Sequence, residues 1–347
     1  MKNFQENMCM MKLSKKEVIY CLILDDKYGK INSHWAYNTE RLRILDRVYY
    51  DEQGYENLVE KAIMEYKLDF IGFSGRLAVE VAKKLEQYFK AKSLSLWKKY
   101  QVILKVMKFH NTNLNSSIAN VKFEKEYLQG KGNDWVKLAI DHPFDLIFIQ
   151  TYGDAEIINR INNNNKAVWV PYSYNDKLYY ERSNNKLLDI GAFCKIERHS
   201  HRIEFIKLVE KIANKYGYSF EFSDQYWGKK YAEKISQAKV VVHLSYCGDI
   251  PWRLYECAAS RTCLLTDRLG FGIDQLFPEG SYIEYNNDFT NLELQLKKIV
   301  ENETLRKQVT DFAKQSVKKY AWGEFADNWV VPIICKYFEE KRKKCII

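Results

Sequence analysis

Short apolar runs, each closed by polar or glycine-bearing residues and most followed by helical periodicity, recur along the chain and limit what it can become. They are Val18–Leu24, Asp69–Phe73, Leu146–Gln150, Ala167–Val170, Leu187–Phe193, Tyr218–Phe222, Lys239–Leu244 and Thr262–Leu265, with Ser281–Tyr285 as a last short one. Most are rich in β-branched residues and lack polar alternation, as strands buried on both faces of a sheet require. Interleaved with helices, they predict parallel strands joined by right-handed crossovers, an α/β doubly wound architecture.

Helical periodicity is read over Asn38–Val48, Tyr55–Tyr66, Arg76–Tyr88, Ile203–Tyr216, Lys229–Gln237, Leu292–Glu301, Thr304–Lys319 and Trp322–Lys341, the last interrupted at Pro332. The stretch Trp97–Phe109 is mixed, and Tyr100–Val106 within it reads as a strand. Residues 172–186 (Y-S-Y-N-D-K-L-Y-Y-E-R-S-N-N-K) are polar, tyrosine-rich and aperiodic, and a new β-α-β series opens at Leu187. The expected division is an N-terminal domain over 1–171, a linker over 172–186, a second domain over 187–330 and a terminal helix over 331–347.

The chain's 347 residues suit two ordinary domains, and 46% hydrophobic residues suffice for packed cores. No apolar run approaches the roughly 20 residues needed to cross a bilayer. The opening M-K-N-F-Q-E-N-M-C-M-M-K has no apolar signal-peptide core, so a cytoplasmic location is expected. Cysteines 9, 21, 194, 247, 257, 263, 335 and 345 form no C-x-x-C pair and read as reduced thiols. No D-x-D pair stands out, so no obligatory metal is expected. The absence of G-x-x-x-x-G-K-[ST] and of G-x-G-x-x-G after a strand weakens NTPase and dinucleotide readings. A net charge of +9 favours an anionic ligand or partner, although the basic residues are spread along the chain.

The stretch Val240–Gly272 concentrates the chemistry. It reads as strand, loop, helix, strand and loop, with Pro251 suited to a first helical turn and Asp249 ahead of it as a candidate N-cap. Arg253 and Glu256 then share one face near that helix N-terminus. In open parallel sheets ligands bind beyond the carboxyl ends of the strands, where helix N-termini offer free N–H groups to phosphate. Lys195, Arg198 and Arg202, with His199 and His201, form the densest cationic patch of this half, at another strand-to-helix junction. Gly191, read at a strand end, would let the backbone approach a ligand closely. Plainer readings stand beside these: Glu256 as a surface carboxylate paired with Arg253 or Arg261, His243 as a satisfied core histidine, and Asp267 with the loop 270–272 as a simple chain reversal.

Arg-x-x-Glu at Arg253 and Glu256, small residues after it, a buried strand ending Thr266-Asp267 and then L-F-P-E-G-S-Y-I-E-Y (Leu276–Tyr285) resemble the carboxy-terminal domain of group-1 GT-B glycosyltransferases. Within that group the chain looks most like the branch that includes the spore-maturation glycosyltransferase-like proteins. The resemblance is strong over about 187–330 and rests on element order alone before 170. It implies two facing Rossmann-like domains with a cleft between them. Glu256 would hold the ribose of a nucleotide-sugar donor such as a UDP- or GDP-sugar. Gly191, Lys195, Arg198, Arg202, Asp249, Arg253 and Asp267 would complete the donor side. Retaining members often carry a second glutamate eight residues earlier, where this chain has Gly248.

The resemblance assigns the acceptor to the first domain, where Asp25, His34 and His110 lie at the ends of expected strands and are candidates for a general base. A saccharide or glycan is the default acceptor. A hydroxylated base on DNA is a sharper alternative, suited by 25 tyrosines and the basic, aromatic stretch Lys90–Phe109. A non-catalytic nucleotide-sugar or nucleic-acid binding protein of the same fold is the rival from another class.

Overall fold

A computed structural model describes residues 19–25, 41–49, 53–66, 68–73, 78–109, 144–150, 155–156, 159–160, 165–182, 185–196, 201–245, 250–270 and 272–345. The apolar runs become strands of two sheets, each parallel throughout. The chain separates into two compact units. Described residues up to Pro171 and from Trp322 onward form one, and Tyr172–Ala321 form the other.

The first sheet contains β1 (Ile19–Asp25), β2 (Leu42–Tyr49), β3 (Phe70–Phe73), β4 (Leu104–Phe109), β5 (Leu146–Ile149) and β6 (Ala167–Trp169), in the order β2-β1-β3-β4-β5-β6. Its core sets Leu24, Ile71, Phe73 and Ile149 against Val59 of the helix Tyr55–Glu65 and Leu85 and Phe89 of the helix Ala78–Lys92. The returning helix Val331–Cys345 is pinned to this unit by Lys341, whose Nζ donates to Asp145 Oδ2 at 2.6 Å and to the Ile103 carbonyl at 2.9 Å. A π-helical turn, Ala326–Val330, precedes Pro332; the widened turn lies where a proline ring meets the preceding carbonyls.

Two expectations in this unit are corrected. Asn38–Val48 was expected as a helix, yet Leu42–Tyr49 is strand β2. A bulge explains the misleading pattern: Cys21 faces Ile44 but Leu22 faces Asp46, so Leu45 is skipped and the alternation slips by one residue. Leu42, Leu45 and Val48 therefore fall at the three-residue spacing of a helix. Tyr100, expected in a strand, belongs to the helix Leu94–Val102, which Ser93 caps by accepting from the Leu96 N–H at 3.2 Å. The strand then begins at Leu104.

The second sheet contains β7 (Leu188–Phe193), β8 (Phe220–Ser223), β9 (Ala238–His243), β10 (Cys263–Asp267) and β11 (Ile283–Tyr285), in the order β11-β10-β9-β7-β8. Ile190, Val240, Val242 and Leu265 pack with Phe205 and Val209 of the helix His201–Tyr216 and with Leu296 and Ile299 of the helix Leu292–Glu301. Gly217 ends the first of these helices at φ 69°, a left-handed position where glycine carries no Cβ penalty, and the Tyr218 N–H closes on the Ala213 carbonyl at 3.0 Å. Among the described residues no helix is long and apolar enough to cross a membrane.

Candidate functional site

The strands of the second sheet end together at Phe193, Ser223, His243, Asp267 and Tyr285, and the side chains of interest gather along that edge. The helix Trp252–Ala259 starts there behind Pro251, whose carbonyl accepts from the Leu254 N–H at 3.1 Å. Arg253, in its first turn, reaches three partners. Nε donates to the Tyr231 hydroxyl at 3.1 Å, Nη1 meets His243 Nδ1 at 2.5 Å and Nη2 donates to the Phe193 carbonyl. One guanidinium thus joins the ends of β7 and β9 to the helix Gly228–Gln237. Three of its five N–H donors are used by these contacts.

One helical turn further in, Glu256 is partly buried. Its Oε2 accepts from the Tyr231 hydroxyl at 3.1 Å, and the Tyr179 ring stands edge-on to that of Tyr231, with centroids 6.2 Å apart. Burial raises the Glu256 pKa above its ordinary value, against the opposing pull of Arg253 and the two phenols. Tyr179 itself is set by a turn at Asn175, whose Oδ1 accepts from the Lys177 N–H at 3.1 Å and whose carbonyl accepts from the Tyr179 N–H at 2.8 Å. The rest of that segment is tied down by Lys186, which donates to the Ser236 carbonyl at 2.8 Å and to Thr262 Oγ1 at 3.2 Å; burial pushes its pKa down to about 8.

Lys195 and Arg202 come together at the same edge. Arg202 donates from Nε to the Leu244 carbonyl at 3.2 Å and from Nη1 to the Lys195 carbonyl at 3.3 Å, so the turns after β7 and β9 are held side by side. Exposed Lys195 places its Nζ 4.7 Å from the ring centre of Trp227, which is itself 58% exposed. Asp267 faces inward: both carboxylate oxygens accept from Ser245, through its N–H at 2.7 Å and through its hydroxyl, and Thr266 Oγ1 adds a contact at 3.0 Å. Asp267 thereby clamps the chain as it leaves β9.

Gly191 departs from its expected place. It lies two residues inside β7 rather than at its end, and a Cβ there would come within 2.6 Å of the Phe193 ring. The small residue accommodates a neighbouring side chain on the same face of its own strand. In the first unit Asp25 is the last residue of β1, opposite Tyr49. His34, His110, Arg198 and Asp249 lie outside the described residues. Tyr179 and Tyr231 were not singled out by sequence reasoning, because a lone tyrosine in a polar segment or helix carries no spacing signal. His243, read as a core histidine, is indeed buried but belongs to the Arg253 assembly.

Within Lys90–Phe109, Tyr100 is buried and stacked on Trp97 at 5.9 Å, while Lys90 covers Trp97 at 4.9 Å. Among the described residues no group of three or more His, Cys, Asp or Glu is placed to hold a metal ion.

Residues 199–329 match a family model described as glycosyl transferase-like. The fold recurs in HepE of Anabaena, solved with UDP-glucose, at 10% identity and a TM-score of 0.57, covering 93% of this chain and 100% of that one. It recurs also in sucrose-phosphate synthase of Thermosynechococcus elongatus, at 11% identity and a TM-score of 0.62 with the same coverage. A glycosyltransferase of Rickettsia africae matches over 93% of this chain and 100% of its own, at 10% identity and a TM-score of 0.55. No curated protein sequence matches the chain. At these identities the likeness is one of fold. Two α/β units with parallel sheets match the fold of GT-B glycosyltransferase structures, and the family match is confined to 199–329.

Proposed function

We propose that the chain is a group-1 glycosyltransferase, of the branch that includes the spore-maturation glycosyltransferase-like proteins, and that it moves a sugar from a nucleotide-sugar donor to a hydroxyl of a saccharide or glycan. The observation that carries this is the Glu256 carboxylate, which accepts from the same Tyr231 hydroxyl that Arg253 donates to, on the helix that starts at the sheet edge where Arg202 ties the turns after β7 and β9. In this reading Glu256 accepts hydrogen bonds from the ribose hydroxyls. Lys195, with Arg198 beside it in sequence, neutralises the diphosphate. Arg202, Arg253 and Asp267 shape the edge and fix its loops. The UDP-glucose held by HepE favours a uridine donor.

During transfer the acceptor oxygen forms a bond to the anomeric carbon as the bond from that carbon to the diphosphate oxygen breaks. Negative charge grows on the departing nucleoside diphosphate, and fixed cations and helix amides at the strand ends are suited to stabilise it. The acceptor proton is assigned to a base in the first unit, with Asp25, His34 and His110 as candidates.

Titration calorimetry with UDP-, GDP-, ADP- and dTDP-sugars, followed by a donor-hydrolysis assay, tests the proposal. Binding of one donor, weakened in Glu256→Ala, is the expected result. Failure of every nucleotide sugar to bind, or equal binding by the variant, overturns it. Gly248, at the position of the second glutamate, favours a second reading in which the chain binds a nucleotide sugar without transferring it; binding with no turnover would select that one.

A further inference from the structure

We infer that Trp227 is a platform on which the base of the nucleotide donor stacks, a contact made with the base and with no other part of the donor. This rests on the donor-site reading above and extends it to a further residue and to the kind of contact it makes.

Trp227 stands between the end of β8 at Ser223 and the helix Gly228–Gln237, on the strand-end edge that also carries Lys195. It occupies the N-cap position of that helix in an extended conformation, and its side chain makes no capping bond. Ser, Thr, Asp or Asn is favoured there, so an indole forgoes local stabilisation, and such departures gather at functional sites. The preceding aromatic is turned inward: the Tyr226 ring packs on Phe193 with centroids 5.8 Å apart, and its hydroxyl donates to Glu221 at 2.5 Å. Trp227 is turned outward and is 58% exposed, which leaves aromatic surface open to a ligand. Gly228 follows at φ 53°, a left-handed position that glycine takes without a Cβ penalty, so the turn presenting the indole is written into the sequence.

Two contacts set this surface beside the groups assigned to the donor. Lys195 Nζ lies 4.7 Å from the indole ring centre, so the cation assigned to the diphosphate adjoins the aromatic face. The Trp227 carbonyl accepts from the Tyr231 N–H at 3.4 Å, one turn along the helix, and the Tyr231 hydroxyl donates to Glu256 at 3.1 Å. A flat aromatic face, a cation and a carboxylate are thus linked along one edge. A nucleotide carries a flat base, anionic phosphates and a ribose diol in one molecule and matches all three, whereas an uncharged saccharide would gain nothing from Lys195. Every base has a π-face, so stacking on Trp227 supplies affinity without choosing among bases.

Titration calorimetry with UDP, GDP, ADP and inorganic pyrophosphate, on wild type, Trp227→Ala, Trp227→Leu and Trp227→Phe, tests the inference. The alanine and leucine variants, folded as judged by circular dichroism, should bind each nucleoside diphosphate that wild type binds about tenfold more weakly. Pyrophosphate, which has no base, should keep its wild-type affinity, and Trp227→Phe should recover most of the loss because its ring still stacks. Unchanged binding of nucleoside diphosphates by Trp227→Ala, or leucine serving as well as phenylalanine, overturns the inference and leaves the donor-site reading standing. An equal loss for pyrophosphate does the same, since the indole would then act only as a support for Lys195. Failure of wild type to bind any nucleoside diphosphate overturns both.

Discussion

Nη1 of Arg253 lies 2.5 Å from Nδ1 of His243. A guanidinium only donates, so Nδ1 accepts and the ring proton of His243 sits on Nε2. With Phe193 and Tyr231 as its other partners, Arg253 acts as a fork joining two strand ends to a helix, a task that its planar geometry suits and a lysine ammonium does not. Arg253→Lys should therefore lower stability by about 2–4 kcal/mol although the charge is kept. Urea unfolding measures this, and an unchanged midpoint and slope would show that these bonds contribute nothing.

Gly191 makes a separate prediction. A Cβ at this position would stand 2.6 Å from Cε2 of Phe193, whose ring is buried and braced by Tyr226 and Tyr231. Gly191→Ala should cost about 1–3 kcal/mol through overpacking. The companion Phe193→Leu, which removes the obstructing ring edge, should make the alanine less damaging. Additive effects in that double variant would refute the contact as the cause.

Lys105 gives the first unit a pH signature. It is buried at the start of β4, donates to the Tyr100 carbonyl at 2.8 Å and lies 4.3 Å from that tyrosine's ring centre. Burial, reinforced by the nearby Lys341 and opposed by Asp145, lowers its pKa to about 7 from 10.5. With the folded value below the unfolded one, its contribution to stability is present above about pH 10.5 and lost as pH falls through about 7. Lys105→Met should flatten the rise in stability between those limits in denaturant titrations. A rise that persists in the variant would assign it to another group.

How much of this was legible beforehand depends on whether the signal was local. The strands of the second sheet read directly because V-V-V-H and C-L-L-T-D carry apolar runs long enough to need a buried sheet, and Arg253 and Glu256 read from their spacing. The strand β2 did not, because one bulged residue turns a two-residue alternation into a three-residue one. The site was half legible for a different reason. Glu256 has a motif around it, whereas its partner Tyr231 stands in the separate helix Gly228–Gln237 with no spacing that links the two in sequence. Gly191 was read for what glycine permits a ligand, while its neighbour Phe193 supplies the reason in the fold.

Glu256 joins stability and binding with opposite signs. Burial raises its pKa above the ordinary 4.5, and Arg253 and the two phenols offset that only in part. The folded value then exceeds the unfolded one, so Glu256 contributes stability below about pH 4.5 that is lost as pH rises through the folded value. Ribose binding needs the ionised carboxylate as acceptor, so donor affinity should rise over the same interval. UDP-glucose suits the measurement because its diphosphate, esterified at both ends, does not titrate there. Calorimetry should show its affinity climbing with a midpoint above 4.5, while Glu256→Gln binds about tenfold more weakly and without that midpoint. A glutamine variant that keeps the wild-type profile would move the titrating group elsewhere and take Glu256 out of the donor site.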